Sequence, residues 1–242
     1  MNRILKNTLK KIFHTLKLDL TPNLKYDRLT FKIINQTLKK DSICVDIGCH
    51  LGEILEVMIK KAPHENHYAF EPLPNFYNKI VNKYKANVFQ LALSNEKGEV
   101  EFNYVENSPE LSGLKRRDYL GLKEPKISVI KVKVEKLDDI IPSSTKIDFI
   151  KIDAEGAEYN ILLGAKETIL NSKPIIVIEF EKGSTEFYGV TPKMMFDLLN
   201  KEFDMNVFTL ETFLKNDLPL LENEFIEIYE SKKNIYFLSK SK

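Results

Sequence analysis

A carboxylate followed closely by two glycines, in Asp46-Ile47-Gly48-Cys49-His50-Leu51-Gly52, is a combination that can hold a small cationic ligand. Glycine lets the backbone pass close to a ligand, because no Cβ blocks the approach and a positive φ costs little. The run follows an apolar stretch (Ile43, Val45, Ile47) and precedes a helical one (53–61), so the amides that open the helix face whatever the loop holds. The spacing Asp-x-Gly-x-x-x-Gly is neither the Gly-x-Gly-x-x-Gly of dinucleotide folds nor a phosphate loop ending in Gly-Lys-Ser/Thr. Asp46 would repel a diphosphate and suits an ammonium group, which points to S-adenosylmethionine. Glu71, 25 residues on, ends a second apolar stretch (Tyr68-Ala69-Phe70) just before Pro72. An acid at that strand tip takes ribose hydroxyls in nucleotide-binding α/β units. Alone, Asp46 reads as well as a helix-capping acid and Glu71 as a solvated strand end; at this spacing, in a strand-helix-strand context, they read as one site.

A second concentration of chemistry is Asp153-Ala154-Glu155-Gly156-Ala157-Glu158, after the strand-like segment 147–152. Acids at the start of a helix suit the helix dipole, and capping accounts for Glu158 and in part for Glu155. Asp153 still belongs to the strand and would point into a cleft. Glu179 ends a further apolar run. A group that takes a proton from an attacking hydroxyl must sit within hydrogen-bond reach of it, and the candidates are Asp153, Glu155, Glu179 and His50. Two of these acids could instead hold a divalent cation that acidifies a diol. Lys115-Arg116-Arg117 lies in a polar loop; Arg116 and Arg117 could grip a phosphate or carboxylate of a substrate, or form a plain solvated face.

These residues need strand tips to carry them. Apolar and helical patterns alternate as in a parallel sheet: helix 26–39, strand 43–47, helix 53–61, strand 67–71, helix 74–84 and strand 88–93. Two β-branched runs, 98–105 and 127–134, then interrupt as an inserted antiparallel pair around the loop 106–125. The alternation resumes with strand 147–153, helix 158–170, strand 175–180 and helix 191–202, and the tail (206–209, 225–238) reads as closing strands around a turn at 231–234. The expected fold is therefore α/β, a doubly wound and mostly parallel sheet with its ligand over the carboxyl ends of the strands.

With 242 residues the chain makes one domain (23–242) plus a short extension (1–22). A hydrophobic content of 43%, 29% charged residues and a net charge of +1 describe a globular chain with no overall field for nucleic acid. Cys44 and Cys49 are too few and too close for a disulfide framework, and a reducing cytoplasm is expected. The first twenty residues are basic (Arg3, Lys6, Lys10, Lys11, Lys17), with Ile4, Leu5, Leu9, Ile12, Phe13 and Leu16 at helical spacing. Such a helix can pack on its own domain, on a second subunit of a homodimer, or peripherally on an anionic membrane surface.

Val45-Asp-Ile-Gly with Gly52, Phe70-Glu-Pro, Ala92-Leu-Ser, Lys136-Leu-Asp-Asp, Ile150-Lys-Ile-Asp-Ala-Glu-Gly-Ala-Glu, Leu163-Gly-Ala and Ile178-Glu, in this order, resemble the FkbM-type family of S-adenosylmethionine-dependent methyltransferases over residues 43–180. The resemblance implies a class I methyltransferase (Rossmann-like) fold and methyl transfer to oxygen, often a hydroxyl of a sugar or polyketide. By position it puts Asp46, Gly48 and Gly52, with Cys49 between them, around the methionine part of the cofactor. Glu71, beside Pro72, would hold the ribose, Leu93 and Ser94 would border the adenine, and Asp153 would sit beside the methyl group and its acceptor. The family often has Ala-Asn where this chain has Cys49-His50. The rival readings are a non-catalytic binding protein on the same fold and a nicotinamide-dependent oxidoreductase, against which the glycine spacing and Asp46 speak.

Overall fold

The computed structural model describes residues 22–64, 66–117, 119 and 122–242, and the basic stretch 1–20 lies outside them. In chain order the elements that matter are α1 (Pro22–Thr37), β1 (Cys44–Ile47), α2 (Glu53–Lys61), β2 (His67–Phe70), α3 (Pro74–Ile80), β3 (Ala86–Phe89), β4 (Ala92–Leu93), β5 (Gly98–Val105) and β6 (Ile127–Glu135). There follow β7 (Phe149–Ile152), α4 (Glu158–Leu163), α5 (Lys166–Ser172), β8 (Ile175–Glu179), α6 (Pro192–Asp197), β9 (Met205–Thr209), α7 (Leu210–Lys215), α8 (Glu222–Glu230) and β10 (Tyr236–Ser241).

Seven strands form one sheet in the order β3-β2-β1-β7-β8-β10-β9. All pairs are parallel except those of β10, which runs antiparallel to β8 and β9. The order reverses between β1 and β7, so the tips of those two strands open the crevice in which ligands of such sheets bind. Both carry four consecutive buried residues, as expected of parallel strands covered on both faces. On one face, Leu24, Tyr26, Leu29, Ile33 and Ile34 of α1 repeat at helical spacing and are buried. Tyr26, Leu29, Ile33 and Ile34 pack with Cys44, Phe149, Val177 and Leu238 from four strands, each large side chain contributing roughly 1.5–3 kcal/mol.

The expected antiparallel insertion is present, with β5 paired to β6 from Gly98↔Val134 to Val105↔Ile127. Three expectations are corrected. The third strand stops at Phe89, and Ala92–Leu93 pairs instead with β6 in a separate three-stranded sheet, so Leu93 reaches the site from the insertion's sheet. The helix read over 158–170 is two helices broken at Gly164, where a Cβ would lie 2.0 Å from the carbonyl oxygen of Ser94. Finally, residues 222–230 are helical rather than extended: Phe225 and Tyr229, one turn apart, are buried, and the Glu224 carboxylate accepts the Leu221 amide at 2.8 Å.

Candidate active site

The loop after β1 is fixed by main-chain bonds to its neighbours. The amides of Gly48 and Cys49 donate to the carbonyl of Phe70, and that of Asp153 to Ile47. Gly48 adopts φ 72°, and a Cβ there would stand 1.8 Å from the carbonyl oxygen of Asp153. Only glycine lets the two strand tips come this close. His50 is also left-handed (φ 49°), which turns its amide onto Glu71 Oε2 at 2.8 Å. The Leu73 amide donates to Glu71 Oε1 at 2.9 Å. Glu71 is thus gripped at both oxygens by main chain, yet burial pushes its carboxyl up to about 7. The His50 ring packs edge-on against Phe76, with centroids 4.0 Å apart.

Asp46 lies under this loop, fully buried, with neither oxygen in a hydrogen bond of normal geometry. Lys151, its register partner on β7, holds its ammonium 4.0 Å away, too far for a hydrogen bond. Burial therefore wins over the attraction and pushes Asp46 up to about 6. The same ammonium lies 3.0 Å from Asp153 Oδ2 and 3.4 Å from the Gly48 carbonyl, so it staples the glycine loop to the acid at the next strand tip. Burial pulls Lys151 down, but Asp153 and Asp46 more than offset it and keep it charged.

At the β7 and β8 tips, carboxylates are satisfied by side chains. Tyr236, opposite Glu179 in the β8–β10 register, donates its hydroxyl to Asp153 Oδ2 at 2.6 Å. Burial pushes Asp153 up, but the Lys151 cation and hydrogen bonds from Glu179 and Tyr236 outweigh it and leave Asp153 below the usual range. Glu179 goes the other way, raised by burial and then by the charge of Asp153 beside it. One member of this pair is ionised and the other holds a proton. The Glu155 carboxylate, on a left-handed residue (φ 57°), is paired with the Arg117 guanidinium. Burial raises Glu155 to about 8 against that pull. The Arg117 guanidinium opposes that rise without cancelling it. Glu158 turns away and accepts the amides of Ala154 (2.9 Å) and Gly156 (3.0 Å), pinning the loop. At 1% exposure, burial pushes it up to about 7.

These groups meet in a cavity of about 690 Å³. Of the residues singled out in the sequence, Gly48, Cys49, His50, Glu71, Pro72, Leu93, Asp153, Glu155 and Glu179 line it. Asp46 and Gly52 lie behind the loop, the latter against the Tyr84 ring. Ser94 is turned against Gly164, Arg116 is exposed, and Arg117 reaches the site only through Glu155. The insertion leans over the cavity with Glu110, Leu111, Ser112 and Leu114, and α1 adds Asn23 and Asp27. Lys151 and Tyr236 carried no assigned role in the sequence. Lys151 had a signal, a lysine inside a buried strand two residues before Asp153 and so on the same face; Tyr236 had none.

Oxygens of Asp153, Glu155 and Glu179 lie within 4.8 Å of one another, a spacing that a divalent cation could use. Two of the three already face Lys151 and Arg117. Among the described residues, no helix is long and apolar enough to cross a membrane.

Compared with known proteins, the chain matches the Methyltransferase FkbM domain over residues 46–215. It is 27% identical over 196 residues to the 2-O-methyltransferase NoeI of Sinorhizobium fredii (strain NBRC 101917 / NGR234), covering 74% of this chain and 78% of that protein. It is 26% identical over 200 residues to methyltransferase sdnD of Sordaria araneosa, covering 69% and 76%. A solved structure of a methyltransferase FkbM from Methylobacillus flagellatus KT aligns with a TM-score of 0.50 at 17% identity. That alignment covers 84% of this chain and 44% of the other, and it shows a shared fold alone.

Proposed function

Because this chain belongs to the FkbM family of S-adenosylmethionine-dependent methyltransferases, we propose that it transfers the methyl group to a hydroxyl oxygen of a sugar or related small molecule. The observation that carries the reading is one cavity with a main-chain-held acid, Glu71, at one end and the Asp153–Glu179 pair at the other. The residues present fit the cofactor. Glu71 faces the cavity for a ribose diol, the tight Gly48 turn removes side-chain bulk, Leu93 offers an apolar wall, and the acids suit a cation. Bound there, the cofactor supplies a methyl group already activated on a sulfonium.

The protein's own share is positioning and proton handling. Asp153 is ionised and held in place by Lys151 and Tyr236, so its carboxylate accepts a hydrogen bond from the acceptor hydroxyl and aligns its lone pair. The new C–O bond would replace the methyl–sulfur bond, the cofactor leaving as a neutral thioether, and Asp153 would stabilise the positive charge this places on the acceptor oxygen. The hydroxyl proton passes to Asp153 in the Asp153–Glu179 pair, which already shares a proton. Asp153→Asn keeps the size and removes the charge; methyl transfer to a sugar panel should fall roughly 10²–10⁴-fold, the range for loss of a positioned base. Activity within threefold of the parent would remove Asp153 from the reaction.

The 4.8 Å carboxylate spacing motivates a second reading, in which a divalent cation orients the acceptor. Dialysis against a chelator separates the two. Full activity afterwards favours Asp153 acting alone, and loss restored by magnesium or manganese favours the cation.

A further inference from the structure

We propose that residues 111–117 form a strap that walls the acceptor end of the cavity, and that Arg117 is the positioning residue that pins it; the inference rests on methyl transfer at Asp153 as proposed above. The strap joins two parts of the fold. On the insertion side, Ser112 Oγ accepts the Val105 amide at 3.0 Å, and Gly113 exchanges two main-chain bonds with Asn103 of β5, at 2.9 and 3.2 Å. The Asn103 side-chain amide also donates to the Leu114 carbonyl at 3.3 Å. Past Leu114 the described bonds run to the tips of the main sheet. There the Lys115 amide donates to the Tyr188 hydroxyl at 3.2 Å, after β8, and the Arg117 guanidinium donates to Glu155 Oε2, after β7. A Cβ on Gly113 would stand 3.4 Å from Cβ of Glu155, so the strap lies directly on that loop.

Leu111, Ser112 and Leu114 line the cavity, whereas Arg117 and Tyr188 do not. The latter two therefore reach an acceptor only through what they hold: the strap, and for Arg117 also Glu155. The anchors differ in kind. Tyr188 fixes the main chain at one point, and the Arg117 side chain, 9% exposed, closes the far end. A guanidinium donates from several N–H groups in one plane, which sets direction as well as distance. The contact holds in either protonation state of Glu155, because a neutral carboxyl keeps an accepting oxygen. Between the anchors Lys115 and Arg116 are exposed. A surface segment with so few inward contacts opens readily once an anchor is lost. Leu114 would then shift, and with it the wall that sets the acceptor against Asp153.

The full-length protein is tested in two ways. Trypsin has sites within the strap at Lys115 and Arg116, which remain in an Arg117→Ala variant. Cleavage there should run at least about fivefold faster than in the parent, and Arg117→Lys should restore part of the protection. Equal cleavage elsewhere in the chain reports that the rest of the fold is intact. On a hexoside that the parent methylates, acceptor kcat/KM should fall about tenfold in Arg117→Ala and less in Tyr188→Phe, with cofactor Kd by calorimetry within about threefold of the parent. The rate on the octyl glycoside relative to the methyl glycoside should rise several-fold as the wall gives way. Parental cleavage or parental acceptor kinetics in Arg117→Ala would overturn the inference. A loss in Arg116→Ala as large as that in Arg117→Ala would also overturn it, because the basic run would then grip the acceptor itself. If the parent binds the cofactor and labels no hexoside, the sugar-hydroxyl reading fails instead, and the trypsin result alone decides whether the strap is pinned at Arg117.

Discussion

At the Glu71 end of the cavity, a carboxylate is held by amides of the main chain, His50 and Leu73, both within 21 residues of it. At the Asp153 end, carboxylates are held by other side chains: Lys151, Tyr236 from 83 residues away, and Arg117 from 38 residues away. The first arrangement depends on backbone shape, so it is rigid and tolerates few residue types. The second depends on which side chains happen to face one another, so single substitutions can retune its proton affinities without moving the frame. Under the proposed assignment, the fixed end takes the cofactor and the adjustable end takes the acceptor. Lys151 joins the two, touching Asp153 and the Gly48 carbonyl at once.

The largest effect should come from breaking the rigid end. Gly48→Ala puts a Cβ 1.8 Å from the Asp153 carbonyl oxygen at a positive φ, which should cost about 2–5 kcal/mol between strain and overpacking. Chemical denaturation would read that loss, and cofactor binding should vanish with it. A variant of parental stability would mean that the two strand tips need not approach.

Next comes pH. Glu158 rises from 4.5 to about 7 through burial, and Asp46 and Glu71 are raised as well. For carboxyls raised on folding, the stabilising contribution is complete below the unfolded value and is lost as pH rises through the folded one. The ligand-free protein should therefore lose stability between pH 5 and 8. Glu158→Gln keeps one oxygen for the Ala154 and Gly156 amides, and it should remove about 2–3 kcal/mol of that slope. Denaturant midpoints across this range would check it; an unchanged slope would place the titration elsewhere.

The smallest effect concerns the adjustable end alone. Tyr236→Phe deletes one hydrogen bond to an ionised carboxylate, worth about 1–2 kcal/mol. It should lower kcat some five- to thirtyfold and shift its pH profile, with the cofactor Kd unchanged. A matching change in cofactor Kd would contradict the division into two ends.

The same division governs what could be read from the sequence. The glycine loop and Glu71 are written in neighbouring residues, and the β1–β2 and β7–β8 tips follow from apolar runs ending in acids. Tyr236 could not be anticipated, since its partner lies on another strand and no local pattern links them. Residues 88–93 are interrupted by Gln90 alone, with no glycine or proline to mark a turn, so the transfer of Ala92–Leu93 to a second sheet was hidden. Phe225, Ile226, Ile228 and Tyr229 satisfy either period, and only the packing of Phe225 and Tyr229 on the core decides for helix. The break at Gly164 is set by a segment seventy residues earlier, at Ser94.

One experiment tests the central claim most directly: calorimetric titration of S-adenosylmethionine into the parent, Glu71→Ala and Asp153→Asn proteins, with methyl transfer measured on the same samples. The account predicts that Glu71→Ala weakens binding at least about tenfold, while Asp153→Asn binds within about threefold of the parent and loses methyl transfer. Cofactor affinity that survives Glu71→Ala but collapses in Asp153→Asn would reverse the two ends of the cavity and contradict the account.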